Sequence, residues 1–65
     1  MSTARDLIQE AYGESLKSLF DKLYAAYAEA ADDIQKQQAE ERFSAGVSLA
    51  VAVRDRAIAL LPPQA

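Results

Sequence analysis

The chain has 65 residues and a mass of 7.1 kDa, enough for one domain and too little for a large enzyme fold. A chain this short buries only about 60% of the surface its unfolded form exposes. It is 51% hydrophobic and 26% charged with a formal net charge of -3, the balance of a soluble folded domain rather than of a disordered acidic tail. Cys and His are absent, which excludes disulfide frameworks, thiolate nucleophiles, imidazole bases and the zinc sites built from those ligands.

Thr3 followed by Asp6 reads as a weak capping box and sets a helix start near Ala4. No apolar run of signal-peptide length accompanies Arg5, Asp6 and Glu10, so the cytoplasm is the default expectation. Downstream, Ala, Leu, Glu, Lys, Gln and Arg dominate, all side chains that lose little freedom in a helix. At about 100° per residue, Ile8, Tyr12, Leu16, Leu19, Phe20, Leu23, Tyr24, Tyr27, Ala30, Ala31 and Ile34 share an arc of roughly 160°. Glu10, Glu14, Lys17, Ser18, Asp21, Lys22 and Glu29 lie opposite. The pattern predicts one long amphipathic helix, near residues 4–31.

A second apolar group, Phe43, Val47, Leu49, Ala50, Val51, Val53, Ala57, Ile58, Leu60 and Leu61, spans a wider arc of about 200°. A single straight helix would place this stripe about 160° away from the first and leave one of them wet. A reversal in residues 32–36, with a second helix near 37–61 and a Pro-containing tail at 62–65, lets the stripes face each other. Asp32 or Asp33 is the natural cap of that second helix. The reversal contains neither Gly nor Pro, which keeps a continuous helix paired in an antiparallel dimer as an alternative. Alternation over Val47, Leu49, Val51 and Val53 admits a strand, though no second run exists to pair with it. The expected fold is therefore all-α, a two-helix antiparallel hairpin. Because so small a core needs a staple, the hairpin is expected to dimerise into a four-helix bundle.

Residues able to carry chemistry are sparse. Glu10 and Glu14, and the pairs Asp32–Asp33 and Glu40–Glu41, lack the His partners that helical di-metal sites use, and read as a solvated acidic surface. Ser15, Ser18, Ser44 and Ser48 have no elbow or glycine-rich turn to present them to a base, so no catalytic residue, cofactor or metal is expected. Gly13 and Gly46 form no phosphate-cradling motif. Each costs its helix about 1 kcal/mol relative to Ala, which points to close backbone approach. A turn near residues 33–34 would set Gly13 beside Arg54 and Gly46 beside Asp21.

Arg54 is the one charge inside the second stripe. Its guanidinium must snorkel outward or find an acceptor, with Gln9, Glu10 and Tyr12 at its level. Phe20, Tyr24, Tyr27, Phe43, Val47, Val51, Arg54 and Ile58 together form the expected interface. The predicted role is a non-enzymatic, homo-oligomeric protein-interaction or regulatory module, a homodimer that binds a further protein. The expected architecture is similar to that of Rop-type plasmid copy-number regulators, acidic dimers of hairpins that bind RNA. That likeness lies in the architecture and no residue motif carries it. It implies the alternative of a nucleic-acid-binding regulator, although seven basic residues against 10 acidic ones form no basic stripe. A small-ligand-binding bundle is the third reading. No membrane span is expected, since Val47–Val53 is far shorter than the roughly 20 residues a span requires.

Overall fold

The computed structural model describes residues 2–63, and in them the chain is an all-α hairpin of two long helices, α1 (Ala4–Glu29) and α2 (Asp33–Ala59). Helix α1 starts where the sequence places it. The Thr3 hydroxyl accepts from the Asp6 amide at 3.1 Å, and the Asp6 carboxylate accepts from the Thr3 amide at 3.2 Å. These two bonds satisfy donors that the first helical turn would otherwise leave unpaired.

The reversal needs no glycine because no residue in it adopts a left-handed backbone. Ala30 leaves α1 with extended angles (φ -66°, ψ 130°), and Asp32 is extended as well (φ -154°, ψ 177°). Asp32 then caps α2, its carboxylate accepting from the Gln35 amide at 2.9 Å, while the Gln35 side chain accepts from the Ala31 amide at 2.9 Å. This reciprocal bracket starts α2 at Asp33, ahead of the expected Gln37, and confines the turn to three residues. The continuous-helix alternative is thereby overturned. So is the strand, since Val47, Leu49, Val51 and Val53 all lie within α2.

Around Gly46 the pairing differs by two residues from the expected one. Gly46 faces Leu19, where the expected neighbour was Asp21. A Cβ built on Gly46 would stand 2.5 Å from Leu19 Cδ2, so the Leu19 side chain fills the space that the glycine leaves. Gly13 differs: beyond its own helix backbone nothing lies within 4 Å of the position its Cβ would take, and Arg54, expected beside it, lies over the Tyr12 ring instead.

Inward residues of α1 (Ile8, Tyr12, Leu16, Leu19, Leu23) and of α2 (Phe43, Val47, Ala50, Ile58) are only half-buried. Ala39, at 4% exposure, is the sole buried residue among those described. The Cα trace measures 54 × 20 × 7 Å, a single layer of helices. Its radius of gyration is 15.4 Å, against about 11 Å for a compact domain of this length. Stable domains bury apolar faces between at least two layers, and one hairpin supplies only the first. Among the described residues no helix is long and apolar enough to cross a membrane.

Candidate interaction face

Spacing places Gly13, Phe20, Tyr24 and Tyr27 in one row along α1, and Glu40, Val47, Val51 and Ile58 in one row along α2. The two rows lie on the same side of the hairpin, since Phe20, Tyr24 and Tyr27 line one depression with Lys36, which stands on the Glu40 side of α2. The nearby Glu40 carboxylate, as an acceptor for the phenol proton, together with desolvation and the carboxylate's charge, raises Tyr27 above its ordinary 10.0. A shallow depression lined by Phe20, Leu23, Tyr24, Tyr27, Ala28 and Lys36 occupies that same side near the turn.

Six of the eight residues expected at an interface thus share one face: Phe20, Tyr24, Tyr27, Val47, Val51 and Ile58. The α1 members are the wet ones. Phe20 is 57% exposed, Tyr24 69% and Tyr27 40%, whereas Val47, Val51 and Ile58 are half-buried against α1. Phe20 and Tyr24 stack loosely along the helix, ring centroids 6.5 Å apart and tilted by 38°. Phe43 sits lower in the groove, in a depression it shares with Leu19, Leu23 and Ala39.

Arg54 leans on α1 without reaching an acceptor there. Its guanidinium lies 4.5 Å from the centroid of the Tyr12 ring and donates twice to Asp55 Oδ1, at 2.9 and 3.0 Å. Of the acceptors expected at its level, Tyr12 is present as an aromatic face and not as a hydroxyl. The side chain is 25% exposed, so Arg54 snorkels over apolar surface and keeps its charge at the rim. The neighbours Tyr27–Glu40 and Arg54–Tyr12 both fit the register expected for a turn near residues 33–34, which set Tyr12 at the level of Arg54; what the sequence does not show is that Tyr12 meets the guanidinium with its ring.

The opposite flank is less uniform. Leu49, Val53 and Leu60 are exposed on α2, but α1 brings Ala11 and Ser15 there, and Lys22 and Arg42 line its turn half. The candidate chemical residues stay apart. Glu14 is paired with Lys17 at 3.3 Å, and Ser15, Ser18, Ser44 and Ser48 are exposed. Among the described residues no group of three carboxylates converges as a metal site. Compared with known families, curated proteins and solved structures, the chain matches none.

Proposed function

We propose that this chain is a non-enzymatic interaction module that pairs with a second copy of itself, two hairpins closing into a four-helix bundle whose outer surface engages another protein. One observation carries the reading. The hairpin exposes 5216 Å², whereas a compact monomer of 7.1 kDa exposes about 4,100 Å². The excess of about 1,100 Å² is close to the roughly 800 Å² that each partner buries in a standard protein interface. A second hairpin laid on the Phe20–Tyr24–Tyr27 face supplies the missing layer and covers the most exposed aromatics.

The charge pattern supports a protein partner over a polyanion. Lys17 is already paired with Glu14 and Arg54 with Asp55, which removes two of seven basic groups from any phosphate-binding stripe. The test is the concentration dependence of thermal unfolding. For a dimer that unfolds to monomers, a hundredfold dilution removes about 2.7 kcal/mol of stability by mass action and lowers the midpoint by several degrees. A midpoint that stays constant on dilution refutes the pairing.

A further inference from the structure

We infer that Gly13 is the seat for Phe20 of a second copy, so that two hairpins pair with their turns at opposite ends. The inference rests on the pairing proposed above and adds its orientation and its contact.

Gly13 stands in the middle of α1, where glycine costs about 1 kcal/mol relative to alanine, and nothing within the hairpin requires it. The space above it is open: beyond its chain neighbours and the backbone of its own helix, no atom lies within 4 Å of a built Cβ. Phe20 lies two helical turns further along the same row, 57% exposed, with no counterpart in its own chain to cover it. One is a gap and the other a projecting ring on one face. They are equidistant from the midpoint of α1, between Leu16 and Lys17.

A two-fold axis crossing the helices at that midpoint lays α1 antiparallel on α1 of the second copy. It drops each Phe20 onto the other chain's Gly13. The same operation brings Tyr24 level with Gln9, a hydroxyl against an amide. On α2 the register fixed by Gly46–Leu19 and Arg54–Tyr12 puts the axis between Val47 and Val51, which then meet each other across it. A two-fold axis parallel to the helices fits less well. It sets α1 on α2 at equal level, crowds Phe20, Tyr24 and Tyr27 into the turn half and leaves the Gly13 half thin. Large residues matched with small ones across facing positions are what dense packing requires.

Two measurements on the full chain test this. The first uses a spin label on Glu29→Cys, an exposed position beside the turn and off the proposed face, in a chain with no other cysteine. Opposite-end pairing sets the two labels about 40 Å apart, close to the length of α1 at about 1.5 Å per residue. Same-end pairing sets them within about 20 Å, by the spacing of adjacent helices. The second is Gly13→Leu, which improves helix propensity but fills the seat. We expect its helix content when dilute to match or exceed the parent's, and its dimer dissociation constant to rise at least tenfold. Labels close together, or a Gly13→Leu chain that pairs as tightly as the parent, overturns the inference while leaving dimerisation intact. A parent chain that is monomeric throughout overturns the proposed pairing and this contact with it.

Discussion

Gly46→Ala isolates the contact of Leu19 with α2. In an open helix the substitution stabilises by about 1 kcal/mol, because alanine loses less backbone freedom. Here the new methyl would stand 2.5 Å from Leu19 Cδ2, 3.3 Å from Cδ1 and 3.5 Å from Cγ. The whole branched end of Leu19 must therefore turn away, and overpacking of this kind costs about 1–3 kcal/mol. The expected net effect is a loss of about 0–2 kcal/mol. Leu19→Ala removes the obstruction, so in that background Gly46→Ala recovers the helix gain and the two changes couple by at least about 1 kcal/mol. Urea denaturation followed by circular dichroism, at one fixed protein concentration, measures all four chains. A Gly46→Ala chain that is more stable than the parent by the full 1 kcal/mol, with no coupling to Leu19, would show that the helices do not meet there.

Three further outcomes follow from the same geometry. Asp32→Ala removes the cap of α2 and costs about 1 kcal/mol, with amide chemical shifts losing helical character first at Asp33 to Gln35; unchanged shifts there would remove Asp32 as the cap. In alkaline titration followed by tyrosinate absorbance, one tyrosine ionises above the ordinary 10.0, and Glu40→Gln brings it back towards that value. Because the folded-state value is the raised one, the stability from the Tyr27–Glu40 contact is complete below the unfolded value and is lost as the pH rises through the folded value. A Glu40→Gln chain with an unchanged tyrosine titration would deny the contact. Arg54→Met should cost less than about 1 kcal/mol and Arg54→Ala about 1 kcal/mol, the loss of stem packing and of the Tyr12 stack. A loss of 3–5 kcal/mol for Arg54→Ala in a thermal melt would instead mark a buried ion pair.

The sequence was most legible where a local rule decides the outcome. The Thr3–Asp6 box started α1, and the phase difference between two apolar stripes required a reversal. Asp32 was legible as a cap of α2, and Gln35 three residues later completes the bracket that starts the helix at Asp33. What stayed hidden depends on register. Gly46 meets Leu19, two residues from the expected Asp21, Gly13 stands open, and Tyr12, expected at the level of Arg54, meets it with its ring. Composition could name Phe20, Tyr24, Tyr27, Val47, Val51 and Ile58 as apolar, but the packing of α1 on α2 sets their two rows on one side.

Sedimentation equilibrium of the unmodified chain at micromolar concentration, beside Phe20→Glu, tests the central claim most directly. The account predicts a species of about twice 7.1 kDa for the parent, since the hairpin exposes about 1,100 Å² more than a compact monomer of its size. It predicts a shift of Phe20→Glu towards 7.1 kDa, because a carboxylate on that face would be desolvated on pairing. A parent chain that is fully helical, cooperatively folded and 7.1 kDa at every concentration would contradict it.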